Sequence, residues 1–116
     1  MQYLCLVYFE ESAFDGMSDA DQKALTRDSL AYDEELRKQG HFLGANALQP
    51  VTAATTLRVR NGKLSTTDGP FAETKEHLGG YILIEARDLN EAIQVAAKIP
   101  MAKVGSIEVR PIMYLE

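Results

Sequence analysis

A chain of 116 residues, 46% hydrophobic and 25% charged, has the length and composition of one soluble globular domain that buries a core without disulfide or metal staples. Twelve basic against seventeen acidic residues leave a net charge of −5, which speaks against a broad nucleic-acid surface, because such a surface needs clustered Lys and Arg. The single cysteine cannot form an intramolecular disulfide, and the apolar run Tyr3–Phe9 is too short to span a membrane and has no basic stretch before it, so a cytoplasmic protein without a membrane partner is expected.

Residues 2–9 are aromatic or aliphatic at both alternating sets of positions, which predicts a strand covered on both faces. Residues 10–17 read as a loop. Ser18, with Asp21 three positions on, starts a helix that runs to about Gln39 and is closed by Gly40. Its inward stripe is Leu25, Ser29, Tyr32 and Leu36, and Leu30 lies off that stripe. His41 to Leu48 predicts a second strand, ended by Pro50. Thr55–Arg60 and Lys63–Thr67 flank Asn61-Gly62, a strong hairpin signal. Leu78–Glu85 reads as a strand with Gly79-Gly80 at its entrance, where another backbone can approach closely. Asp88 and Glu91 open a second helix whose apolar residues are Leu89, Ala92, Ile93, Ala96 and Ala97, stopped by Pro100. Ser106 to Pro111 is the last strand and residues 112–116 are a tail.

This order is β-α-β, an inserted hairpin, then β-α-β: one α+β domain over residues 1–116, with both helices on one face of a sheet. Two helices cover only one face, yet Tyr3–Phe9 and Tyr81–Ile84 offer apolar side chains to both. A second copy, packed sheet to sheet, is the expected cover, which makes the partner a homodimer.

The run Asp68-Gly69-Pro70-Phe71-Ala72-Glu73-Thr74-Lys75-Glu76 joins a turn to an aromatic side chain and four charges. Gly69 and Pro70 end the strand before them. Phe71 is expected to be a buried anchor that holds the loop on the body. Asp68, Glu73 and Lys75 are then candidates for acid–base chemistry, with Arg110 nearby as a bidentate clamp for an anionic ligand. The alternative, which carries more weight, is that Arg110 bridges to Glu73 or Asp68 and ties the loop to the sheet. His41 and His77 stand alone, without metal-ligand spacing, and neither a metal nor a cofactor is expected. Cys5 lies in an apolar strand and reads as a packed thiol. Gly79-Gly80 leads into a strand, so it is not a phosphate loop.

The same run, DGPFAETKE, followed by Leu78-Gly79-Gly80-Tyr81, resembles the signature of the DGPF group within the YCII-related domain family. The start Met1–Tyr8, the segment Ala47-Leu48-Gln49-Pro50, the strand Thr55–Arg60 and the close Gly105–Pro111 are similar to that family as well. The resemblance implies a ferredoxin-like domain that forms a dimeric α+β barrel, and no assigned activity. Genes for related proteins often accompany extracytoplasmic-function sigma factors, which points towards regulation. Some members carry a His on the first helix and an Asp before the Pro that follows the second helix, viewed as an acid–base dyad. Those positions hold Ser29 and Ile99 here, so that dyad is absent. Ser29 and Tyr32 remain as hydroxyls that line a pocket or satisfy the core edge. The leading functional reading is a small-molecule-binding protein, or a weakly specified acid–base enzyme, with a pocket between helices and sheet. The rival is a non-catalytic regulatory module that acts through protein contacts.

Overall fold

The computed structural model describes all 116 residues as a mixed α+β fold with two helices and antiparallel sheets. The chain runs β1 (Gln2–Phe9), α1 (Asp19–Lys38), β2 (Phe42–Ala47), β3 (Thr55–Arg60), β4 (Lys63–Asp68), β5 (His77–Glu85), α2 (Leu89–Ala97) and β6 (Ser106–Pro111). Short 3-10 turns lie at Glu11–Phe14, Val51–Ala53 and Pro100–Lys103. The predicted elements are all present. The helix starts follow from their caps: Ser18 Oγ accepts the Asp21 N–H at 3.1 Å, and Asp88 Oδ1 accepts the Glu91 N–H at 2.9 Å. Glu91 reaches back one residue beyond the cap, where its carboxylate accepts the Arg87 N–H. Pro100 does more than stop α2: Ala97 is already its last residue, and Pro100 opens the next 3-10 turn.

Four strands form the main sheet in the order β2-β5-β1-β6, every neighbour antiparallel. The register places Tyr3 opposite Ile84 and Cys5 opposite Ile82, so these four share a face. That face is buried beneath both helices: Leu36 of α1 and Ala92, Val95 and Ala96 of α2 pack into one cluster with them. Buried core positions therefore alternate along β1, as Tyr3, Cys5 and Val7. The intervening Leu4, Leu6 and Tyr8, with Tyr81 and Leu83 opposite them, point to the other face and stay half-exposed. The expectation of apolar side chains on both faces holds, and within one chain only one face is covered.

The Gly79-Gly80 pair has the steric role expected of it. A Cβ on Gly80 would lie 2.9 Å from the backbone carbonyl oxygen of Asn46 on β2, and one on Gly79 would run into the Phe9 ring. Both glycines let β1, β2 and β5 close at this end of the sheet. The strands β3 and β4 make a separate two-stranded sheet joined at Asn61 (φ 52°) and Gly62 (φ 74°), the left-handed pair that a tight hairpin demands. Their principal contacts are with each other. No helix is long and apolar enough to cross a membrane.

Candidate functional site

A cavity of about 570 Å³ opens between α1 and the main sheet. Its floor is the Val7, Gly80 and Ile82 end of the sheet, and its walls include Phe14, Leu25 and Met101. The inward stripe of α1 brings Ser29 and Tyr32 to this cavity, as its spacing predicts. Both hydroxyls are already engaged. Ser29 Oγ donates to the Leu25 carbonyl one turn back, at 2.8 Å. Tyr32 OH donates to the Val95 carbonyl at 2.6 Å and ties α1 to α2. Burial, with the Glu35 charge and Cys5 adding to it, pushes the Tyr32 phenol up to about 12. It stays protonated at neutral pH and keeps that bond.

The lining contains one carboxylate, Asp33, and no Lys, Arg or His. Asp33 lies four residues after Ser29, hence one turn along the same side of α1. Burial raises its pKa above the usual carboxylate value, and the opposing pull of Arg37 is the smaller effect. Arg37 is shared elsewhere: it pairs with Glu34, and its guanidinium stacks 4.3 Å from the centre of the Phe42 ring. Asp33 is thus a carboxyl shifted upward by its apolar surroundings. Sequence reasoning missed it. A signal was there, because Asp33 follows Ser29 of the inward stripe by four residues, although the stripe itself runs through Tyr32. Further polar groups at the edge are spoken for: Asn46 Nδ2 donates to Tyr81 OH at 2.9 Å. Burial also pushes the Cys5 thiol up to about 11, so it is a packed thiol and no nucleophile.

The charged cluster expected around the 68–76 loop does not assemble. Arg110 sits on β6 opposite Leu4, on the uncovered sheet face, and pairs with Glu108 at 3.4 Å. It reaches neither Asp68 nor Glu73. Asp68 ends β4 on the hairpin and is exposed, and Glu73 is exposed on the loop. Lys75 pairs with Glu10 at 3.6 Å. The tie from this loop to the sheet is made instead by Glu76, whose carboxylate accepts the Ser106 hydroxyl at 2.7 Å. Phe71 corrects the expectation of a buried anchor: it is 80% exposed. Gly69 (φ 99°) and Pro70 turn the chain as expected, but the loop is held by hydrogen bonds to Ala54 and Thr56, with no aromatic plug. The two histidines have structural surroundings. His41 Nδ1 lies 2.8 Å from the Glu85 carbonyl, and His77 starts β5 opposite Phe9.

Three comparisons set this geometry beside known proteins. The fold is similar to that of 5-chloro-2-hydroxyhydroquinone dehydrochlorinase (TftG) from Burkholderia phenoliruptrix AC1100, solved in complex with 2,5-dihydroxybenzoquinone: TM-score 0.57, 15% identity, 98% of this chain and 95% of that one. At that identity the likeness is one of fold alone. An uncharacterized protein of Rhizobium meliloti (strain 1021) is 39% identical over 114 residues, 97% of this chain and 92% of the relative. Residues 1–116 match the YCII-related domain throughout, and with that relative beside it the chain belongs to the YCII-related domain family.

Proposed function

We propose that the cavity between α1 and the sheet binds a small, largely apolar organic molecule, neutral or cationic, and that Asp33 meets its polar group. The observation that carries this reading is the placement of Asp33 as the lone carboxylate on a cation-free, mostly apolar wall. Such a wall disfavours anions, since a second negative charge would meet Asp33 with no Lys or Arg to offset it. This shifts the ligand class away from the anion that Arg110 had suggested. A carboxyl whose pKa burial raises is suited to exchange a proton, so a weak acid–base reaction on a hydroxylated or quinonoid ring lies within its reach. The complex of the similar fold with 2,5-dihydroxybenzoquinone supports a small ring as the ligand and says nothing for its neutrality, because that dihydroxyquinone is a vinylogous acid. Ser29 and Tyr32 shape the wall in this reading. The loop with Asp68, Glu73 and Lys75 is a connector, and Arg110 belongs to the uncovered sheet face.

The finer placement is part of the same proposal: a member of the DGPF group with the ferredoxin-like plan, cytoplasmic, and paired through its open sheet faces as a homodimeric barrel. The strand order β2-β5-β1-β6, once the hairpin is set aside, supports the ferredoxin-like plan, and the half-exposed Leu4, Leu6, Tyr8, Tyr81 and Leu83 support the pairing.

Calorimetric titration with hydroquinone, catechol, benzoate and phenyl phosphate tests the site. Wild type is expected to bind the neutral phenols, and Asp33→Asn to bind them at least tenfold more weakly. Tighter binding of the two anions, or an unchanged variant, would overturn the assignment. Asp33 also leaves a mark on stability. The folded chain holds its proton more tightly than the unfolded chain, so stability falls as pH rises through the window just above the ordinary carboxylate range. Asp33→Asn removes that fall, and urea titrations from pH 4 to 8 read it.

A further inference from the structure

The β3–β4 hairpin is amphipathic in a way its own chain leaves unused. Val59 is opposite Leu64 and Leu57 opposite Thr66, so Leu57, Val59 and Leu64 share one face. Arg58, Arg60 and Lys63 occupy the other. The three apolar side chains are 62%, 61% and 64% exposed. A two-stranded ribbon with nothing on its apolar face is marginal in water. Its base is held by the Gly69 N–H donating to the Ala54 carbonyl at 2.7 Å and Thr56 Oγ1 donating to the Gly69 carbonyl at 2.8 Å, and Arg58 on its basic face donates to the Phe71 carbonyl at 3.4 Å.

The dimensions of the molecule lead the same way. Its radius of gyration is 16.2 Å, with extents of 47 × 46 × 19 Å, where a compact chain of this length has about 13 Å. Its accessible surface is 8302 Å², where a monomer of its mass exposes about 6,300 Å². Each chain thus carries an excess of about 2,000 Å², and two chains about 4,000 Å², which lies inside the span of obligate homodimer interfaces. The open sheet face is too small to account for this. Its four strands, of 6 to 9 residues, project to only about 450 Å². The hairpin, exposed along nearly its whole length, adds to that face. Charge points to the same occupant: residues 55–68 carry three cations and one carboxylate on a chain of net charge −5, so the rest of the protein is more acidic than the whole.

We propose that the β3–β4 hairpin is an arm that lays its Leu57–Val59–Leu64 face on a second copy of this chain, while its basic face meets acidic surface of that copy. The inference rests on the homodimer reading above and adds the arm as a distinct part of the interface. The test uses the full chain in three forms: wild type, the arm variant Val59→Lys with Leu64→Lys, and the sheet-face variant Leu6→Lys. Both arm positions are exposed, so the arm variant is expected to keep the far-ultraviolet circular dichroism of the wild type. Sedimentation gives the mass and hydrogen exchange gives the protection of amides 55–68. Wild type should sediment at twice 12.8 kDa with protected arm amides. The arm variant should lose that protection, and its dimer should weaken at least 100-fold. A wild-type dimer with unprotected arm amides, or an arm variant that dimerises normally, overturns the arm and leaves the sheet-to-sheet dimer standing, provided Leu6→Lys disrupts it. A monomeric wild type overturns both. Arm protection that appears only on adding duplex DNA or RNA assigns the basic ribbon to nucleic acid and overturns the second copy as its occupant.

Discussion

Tyr32→Phe removes one oxygen from the junction of α1, α2 and the cavity, and the structure sets the size of the effect. The lost bond is the 2.6 Å donation from Tyr32 OH to the Val95 carbonyl, which spans 63 residues of sequence. A bond of this kind is worth about 0.5–1.5 kcal/mol net, and more when its acceptor is left unpaired in the interior. Here the acceptor is not stranded, because the Val95 carbonyl also accepts the Lys98 N–H at 3.3 Å. The cost should therefore be about 1 kcal/mol at neutral pH, or about 4 °C in melting temperature for a domain of this size. The alkaline behaviour is the sharper part. Burial holds the folded phenol up to about 12, against 10.0 for the free group. As pH rises from about 10 to about 12, the unfolded chain loses this proton and the folded chain keeps it, so wild-type stability falls across that window. The phenylalanine variant has no proton to lose at this position. Urea titrations of both proteins from pH 7 to 11 should show curves about 1 kcal/mol apart at neutral pH that converge above pH 10. A neutral-pH cost above about 3 kcal/mol would mean that the hydroxyl holds more than one bond. Parallel curves above pH 10 would refute the buried-phenol argument outright.

Other substitutions check the remaining assignments. Phe71→Ala should change stability by less than about 0.5 kcal/mol, because the ring is 80% exposed; a loss of about 3–5 kcal/mol in chemical denaturation would show that a partner covers it. Gly80→Ala should destabilise by about 1–3 kcal/mol, since the added methyl meets the Asn46 carbonyl at 2.9 Å, and an unchanged melting curve would mean that β2 yields freely. In the sheet-face variant Leu6→Lys, Arg110→Ala should cost no more than about 1 kcal/mol, because its pair with Glu108 is largely exposed in the single chain. A larger loss by thermal melting in the wild-type background would place Arg110 inside an interface.

Local chemistry explains which features were legible in the sequence. Ser18 and Asp88 are visible as caps because they act on residues three positions away, and Asn61-Gly62 is visible because two left-handed residues in succession leave the backbone few alternatives. The crowding at Gly79-Gly80 was legible for a similar reason, since a glycine pair in an otherwise bulky strand marks close approach. The candidate site was half legible. The stripe of α1 put Ser29 and Tyr32 on the cavity, but Asp33 beside them reads as an ordinary charged residue until the walls around it are known. The 68–76 loop misled, because a large aromatic in a turn suggests a plug, and nothing local says whether a pocket exists to receive it.

The elements, their order, and the apolar character of both faces of the central strands all follow from local pattern in the chain. Which face the helices take does not. Tyr3, Cys5 and Val7 went under α1 and α2, and Leu4, Leu6 and Tyr8 did not. A strand repeats every two residues, so its two faces can be equally apolar and the pattern carries no label for inside. That choice is made by long-range packing, when Leu36, Val95 and Ala96 find Ile82 and Ile84 from distant parts of the chain. Ion pairs obey the same logic. Arg110 had several acidic candidates in sequence, and it took Glu108, two residues away on its own strand, because the loop carrying Asp68 and Glu73 is held elsewhere.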